Sequence, residues 1–319
     1  MKLAIIDVGT NSSKLLVVEV DKNKKIRIIH KNKISVKLGE GGITHKQITQ
    51  PAFERGLSAL IEQKQIIDTF NVEKILAFGT SAIRDAKNGA LFLSMVKEHA
   101  QIDIQMISGD KEAELIYYGV KSSVEFSEQK VVIMDIGGGS TEFIICNNAT
   151  IFWKKSYKLG ASRLLEIIKP SDPITKNQKY FFNDYVSEIL KDLVEQLKYY
   201  KVEKLIGSSG TFDSLAEIAM ADKDHRLKKN LELKDGYLFD LEDLERTSKK
   251  LIKSTFEERL QIKGLALMRA EMIVMSSMLI RFVLKHSNIE TIQLSKSSLK
   301  EGMLLDFIHN TTFNSNISY

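Results

Sequence analysis

Leu3-Ala-Ile-Ile-Asp7-Val-Gly9-Thr-Asn-Ser12-Ser-Lys-Leu-Leu-Val-Val18 and Val131-Val-Ile-Met-Asp135-Ile-Gly137-Gly-Gly-Ser140-Thr-Glu-Phe-Ile-Ile-Cys146 align without a gap. Asp, Gly and Ser fall at the same offsets, between apolar runs of strand length. Each stretch reads as a β-hairpin whose turn carries Asp-x-Gly. A second pair follows in the same order. Lys74-Ile-Leu-Ala-Phe-Gly79-Thr80-Ser81 and Lys204-Leu-Ile-Gly-Ser-Ser-Gly210-Thr211 both read as strand, Gly-Thr turn and helix. Paired repeats in one order indicate two domains of related fold, 1–125 and 126–319, with the last helix, about 298–309, packing back on the first.

Outward from these repeats the chain alternates strand and helix, the pattern of an α/β protein. Thr49 and Pro51 open a helix with Phe53, Leu57, Leu60 and Ile61 on one face. Ser108 or Asp110 can cap a helix through Leu115, Tyr118 and Gly119. A long helix is expected after Thr175, with Phe181, Tyr185, Ile189 and Leu193 inward. Another, from about Gly264, carries Met268, Met272, Met275 and Met278, which reads as core packing. Ile289 to Leu294 is a last strand, and Asn310 to Tyr319 a polar, frayed end.

Composition excludes several classes. With 46 Lys and Arg against 41 Asp and Glu, the net charge is +5, too small to mark a nucleic-acid protein. Cys146 is the single cysteine, so no disulfide framework or Cys-rich zinc site exists. No apolar run nears the ~20 residues of a membrane span, and the start of the chain lacks a signal-peptide pattern. A cytoplasmic location is therefore expected, with no duplex nucleic acid or membrane as partner. The histidines, His30, His45, His99, His225, His286 and His309, show no metal-ligand spacing. The lysine clusters Lys22/Lys24/Lys25, Lys228/Lys229 and Lys249/Lys250 read as solvated surface, or as an extension of a groove for a polyanion.

The glycine-rich turns carry the chemistry. In Asp135-Ile-Gly137-Gly138-Gly139-Ser140-Thr141-Glu142 the bare backbone can bend so that its N–H groups converge on an anion, with Ser140 and Thr141 as further donors. Gly9, Thr10, Asn11 and Ser12 offer the same from the first repeat, and Ser209, Gly210 and Thr211 from the Gly-Thr turn of the second. Neither a Walker A loop nor a dinucleotide fingerprint is present. One such turn alone is ordinary hairpin chemistry; two in step point to phosphate. Asp7 and Asp135 end apolar strands, where a carboxylate needs a cation or donor. Glu142, seven residues after Asp135, returns beside it across the hairpin. Asp135 and Glu142, with Asp7, would suit Mg2+ or another hard divalent cation, whereas for Asp7 a local Asx-turn is the competing reading. Arg84 and Glu112, on composition alone, read as an ion-pairing arginine and a helix-dipole acid.

The chain resembles the exopolyphosphatase/guanosine pentaphosphate phosphatase family. The residues that carry the likeness are Asp7-Val-Gly-Thr-Asn-Ser12, Gly79-Thr-Ser-Ala-Ile-Arg-Asp-Ala-Lys-Asn88, Ile107-Ser-Gly109, Asp135-Ile-Gly-Gly-Gly-Ser-Thr-Glu142, Gly207-Ser-Ser-Gly-Thr211 and Glu301-Gly302. The resemblance implies a two-lobed actin-like ATPase fold (as in actin, Hsp70 and sugar kinases, and ribonuclease H-like) with duplicated domains and an interdomain cleft. It also implies Mg2+-dependent release of orthophosphate from polyphosphate or from guanosine pentaphosphate, the latter a substrate of the stringent response. By position it assigns Glu112 as the catalytic base, Asp135 and Glu142 as acids that hold metal or water, and Arg84 as a phosphate contact. A homodimer is a candidate assembly, and the sequence does not fix the oligomeric state. Two departures stand out: Lys111 replaces an acid and Glu114 an arginine in the Glu112 helix, and Lys300 replaces an arginine before Glu301. The competing readings are an actin-like sugar or acid kinase, a nucleotide- or polyphosphate-binding protein without turnover, and a degenerate phosphatase that senses polyphosphate or a guanosine alarmone.

Overall fold

The first apolar run forms β1 (Lys2–Val8), which turns into β2 (Ser12–Val20) in an antiparallel register that sets Asp7 opposite Lys14. The computed structural model in which this is seen describes residues 1–125, 127–227 and 233–314. Lys228, Lys229 and the last stretch beyond Asn314 lie outside the described residues. β3 (Ile26–Ser35) pairs antiparallel with β2. β4 (Lys74–Gly79) and β5 (Ile104–Met106) extend the sheet in parallel from β1, giving the order β3-β2-β1-β4-β5. Parallel neighbours need crossover connections, and the helices α1 (Gln50–Asp68), α2 (Ser81–Arg84) and α3 (Gly89–Ala100) supply them, while α4 (Gly109–Lys121) follows β5. α1 buries Ala52, Phe53, Leu60 and Ile67, and Phe53 meets Phe92 of α3 edge to face at 5.0 Å. Ser108 caps α4 by accepting the Lys111 N–H at 3.1 Å.

The second sheet follows the same plan. β6 (Val131–Ile136), β7 (Thr141–Cys146) and β8 (Ile151–Tyr157) form an antiparallel meander. β9 (Lys204–Ser208) and β11 (Thr291–Ser295) add in parallel to β6, and the short β10 (Leu238–Phe239) closes the edge. Without β10, the order β11-β9-β6-β7-β8 repeats the first sheet strand for strand. Its helices are α5 (Ala161–Ile168), α6 (Lys176–Ile189), α7 (Lys191–Tyr199), α8 (Gly210–Leu227), α9 (Leu241–Lys253), α10 (Phe256–Leu260) and α11 (Ile273–Lys285). The duplicated mixed sheet flanked by helices is the core of the actin-like ATPase fold.

Contacts divide the chain into two units. The first holds Met1–Gly119, the turn Gly137–Gly139 and the segment from Leu299; the second holds Val120–Ile136 and Ser140–Ser298. The last helix, α12 (Leu299–Asn314), packs within the first unit against β1. A methyl group built on its Gly302 would lie 1.8 Å from the Leu115 carbonyl oxygen, so only glycine lets α12 approach α4 this closely.

Some helix faces differ from expectation. The helix after Thr175 is two helices, α6 and α7, that meet at Leu190. Phe182, Val186, Leu193 and Leu197 form their buried side, whereas Phe181 is 52% exposed. The methionine helix begins only at Ile273, after a 3-10 turn at Leu267–Arg269; Met275 and Met278 enter the core.

Candidate active site

The two hairpins show a difference that their shared pattern hides. Asp7 and Asp135 occupy equivalent places, and both are buried, 4% and 6% exposed. The residue opposite Asp7 is Lys14, whose Nζ lies 3.0 Å from Asp7 Oδ2. The residue opposite Asp135 is Glu142, itself 1% exposed. The first pair is neutralised within the hairpin. The second sets two buried acids directly across from each other, an unfavourable placement unless a cation or proton compensates them.

Hydroxyls hold this second pair. Asp135 Oδ2 accepts from Ser208 Oγ at 2.5 Å and from Ser298 Oγ. Glu142 Oε1 accepts from Ser156 Oγ at 2.7 Å. Two facing carboxylates are the kind of oxygen donor a hard divalent cation takes, beside water and phosphate. Among the described residues no group of three or more His, Cys, Asp or Glu is gathered to hold a metal unaided. Asp7, read from sequence as a third metal ligand, here pairs with Lys14.

In the first unit the turn Gly137–Gly139 lies against the turn of the first hairpin. A methyl group built on Gly138 would lie 2.5 Å from Asn11 Nδ2 and 2.8 Å from Thr10 Cβ. One built on Gly139 would lie 2.2 Å from Ser81 Oγ and 2.8 Å from Thr10 Oγ1. The approach requires bare glycine backbone. Thr10 is buried, and the Gly9 N–H donates to the Ser12 carbonyl at 3.1 Å, which closes the turn. The Asn11 carbonyl accepts from the N–H groups of Val36 and Lys37 at 3.0 and 3.1 Å, pinning the turn to the chain after β3.

Arg84 ends the single turn of α2 that Ser81 begins. Its Nη1 donates to the Ile107 carbonyl and to Glu112 Oε2, both at 3.0 Å. Glu112 is 7% exposed, so this is a shielded pair rather than a surface one. Lys111 and Glu114 are partners of each other at 3.0 Å, and Lys111 also reaches Asp306 of α12 at 3.2 Å. Burial disfavours the Lys111 charge, but hydrogen bonds to Glu114 and Asp306 outweigh it and raise its ammonium above the usual lysine range.

Other predicted donors are committed elsewhere. The Thr141 hydroxyl, fully buried, donates to the Leu159 carbonyl at 3.0 Å. Ser209 sits in the left-handed region at φ 71° and donates to the Ile136 carbonyl at 2.9 Å. Both hydroxyls, read from sequence as phosphate donors, here bond main-chain carbonyls. Ser12 and Ser140 are buried at their strand starts, and Thr211 is buried near the start of α8. Gly210 has its carbonyl bonded by Arg269 Nη1, which also reaches Ser214 Oγ at 2.8 Å. Burial lowers the Arg269 guanidinium below its usual range, although Asp213 and Glu217 oppose this. Lys249 and Lys250 pair with Glu245 and Asp222, which leaves them as compensated surface charges. A cavity of about 370 Å³ near Asp172, Phe256 and Arg259 contains none of the residues read from sequence.

Sequence reasoning missed Lys14, Ser81, Ser156, Ser208, Ser298 and Arg269. Lys14 was legible, seven residues after Asp7 as Glu142 is after Asp135. Of the three serines that hold the acid pair, Ser208 lies in the quoted Gly207-to-Thr211 run, whereas Ser156 and Ser298 carry no local signal.

Residues 16–311 match the model of the Ppx/GppA phosphatase family. The chain belongs to this family. A Ppx/GppA phosphatase is a hydrolase. The chain is similar to a solved exopolyphosphatase from Cytophaga hutchinsonii ATCC 33406, with a TM-score of 0.92, 37% identity, and 97% and 98% of the two chains covered. A Ppx/GppA member from Aquifex aeolicus superposes with a TM-score of 0.76 at 25% identity, over 98% of each chain. Among curated proteins, a bifunctional 3-dehydroquinate synthase/phosphatase of Fusobacterium nucleatum is 32% identical over 96% of this chain. The chain spans about half of that protein's length, 46%. Exopolyphosphatase 1 of Mycobacterium bovis is 26% identical, with 96% of this chain and 88% of that protein covered. No helix among the described residues is long and apolar enough to cross a membrane.

Proposed function

We propose that this chain hydrolyses the terminal phosphoanhydride bond of inorganic polyphosphate, or releases the 5′ γ-phosphate of guanosine pentaphosphate. The observation that carries the reading is the shielded Arg84–Glu112 pair, joined by one turn of α2 to a hydroxyl that faces the Gly138–Gly139 backbone. The names of the exopolyphosphatases it resembles support the same substrate class.

Glu112 accepts a hydrogen bond from water and takes its proton as the water oxygen bonds to the terminal phosphorus. The bridging P–O bond breaks in line, and its electron pair leaves with the shortened chain. Arg84 fixes the Glu112 carboxylate, and its other N–H groups stabilise the phosphoryl oxygens. Glycine N–H groups, Thr10 and Asn11 hold the terminal phosphate. Asp135 and Glu142 are the residues that would hold a divalent cation, and such an ion would supply neutralisation of phosphate charge.

The test is phosphate release with and without Mg2+ from long-chain polyphosphate, guanosine pentaphosphate and ATP. Release from one of the first two, lost on removing the metal with a chelator, is expected. ADP formation that requires an added hydroxyl acceptor would assign a kinase instead. Nucleotide-dependent polymerisation without phosphate turnover would assign an assembly protein.

A further inference from the structure

Ser81 Oγ is 98% shielded, since the residue is 2% exposed, and it has no hydrogen-bond partner among the described residues. A buried hydroxyl in that state loses its bonds to water and gains nothing in return. Its surroundings show what is missing. Thr10 Oγ1 lies near the same point on Gly139, and Asn11 Nδ2 lies near the adjoining Gly138. Two hydroxyls and an amide N–H2 group therefore converge on bare glycine backbone. These groups can all donate, and an oxyanion carries the lone pairs they lack. Ser81 also begins the helical turn that Arg84 ends, so the two are three residues apart on one face.

We infer that Ser81 is a substrate-contacting residue, whose Oγ–H donates to a non-bridging oxygen of the terminal phosphate. The inference rests on the hydrolase reading and adds to it a residue that ties phosphate position to the Arg84–Glu112 pair. An oxygen held by Ser81 is anchored to the same rigid turn as the arginine that fixes the acid.

Ser81→Ala tests it, with inorganic phosphate as the probe because phosphate is not consumed. Calorimetric titration in the presence of Mg2+ is expected to give a Kd about ten- to a hundred-fold weaker than wild type, as for loss of a hydrogen bond to a charged group. The melting temperature of the free variant is expected to equal or exceed that of wild type, because the deleted hydroxyl bonds nothing in the free protein. An unchanged Kd overturns the inference. So does a fall in melting temperature, which would assign the hydroxyl a structural partner. If wild type releases phosphate from polyphosphate while Ser81→Ala binds as tightly, only the serine is removed from the account. If wild type neither binds phosphate nor releases it, the hydrolase reading falls with it.

Discussion

Position 14 is a lysine and position 142 a glutamate at the same place in the two repeats. That one exchange separates a hairpin with an internal ion pair from one with two acids face to face. It yields a prediction about metal that does not depend on turnover. Glu142→Gln removes one of two facing carboxylates, so the free variant should be no less stable than wild type, within about 1 kcal/mol. Its melting temperature should no longer rise when Mg2+ is added, because a divalent cation needs both acids. A Mg2+-dependent rise equal to that of wild type would remove Glu142 from the metal site. The same exchange shows what was readable. The seven-residue spacing that pairs each acid with its cross-strand neighbour lies in the sequence, but attention to what the repeats share passed over Lys14. Ser208, Ser298 and Ser156 reach the acids through tertiary contact; Ser208 lies in a quoted motif that does not show its partner, and nothing near Ser156 or Ser298 marks them. The Lys111–Glu114 departure is one feature rather than two, because the residues compensate each other.

Among the elements, strands were more legible than helices. Both hairpins and both strand–turn–helix units follow from continuous apolar runs of strand length and glycine turns, and the hairpin registers are those the gapless alignment requires. Helix faces were harder. Phe181, Tyr185 and Ile189 share a stripe with the buried Phe182 and Val186 beside it, and a one-residue offset turns the helix by about 100°. No glycine or proline marks the break at Leu190, so α6 and α7 read as one. The methionine run was placed too early, because Gly264 stands at φ 90° before the 3-10 turn and does not begin a helix. Gly302 supplies the element-scale prediction. Its missing side chain faces a backbone carbonyl, which cannot swing aside as a side-chain tip can. Gly302→Ala should destabilise the first unit by about 1–3 kcal/mol and lower the melting temperature by several degrees. An unchanged denaturation midpoint would show that α12 does not need this close approach to α4.

For the whole molecule, duplication explains how one fold can divide its chemistry. Both sheets carry the same strand order, and both place an acid near the end of their central strand. The first repeat pairs its acid with Lys14, and the unit it opens carries the Arg84–Glu112 pair; the second repeat sets two acids face to face. Family membership places the chain among phosphatases, and the base proposed above, Glu112, stands beside Arg84. The most direct test is the turnover number of Glu112→Gln on long-chain polyphosphate with Mg2+, with circular dichroism to show an intact fold. Loss of the carboxylate should lower kcat by about 10²–10⁴-fold, the range for general-base catalysis, with KM little changed. A folded variant with kcat near that of wild type would contradict the account.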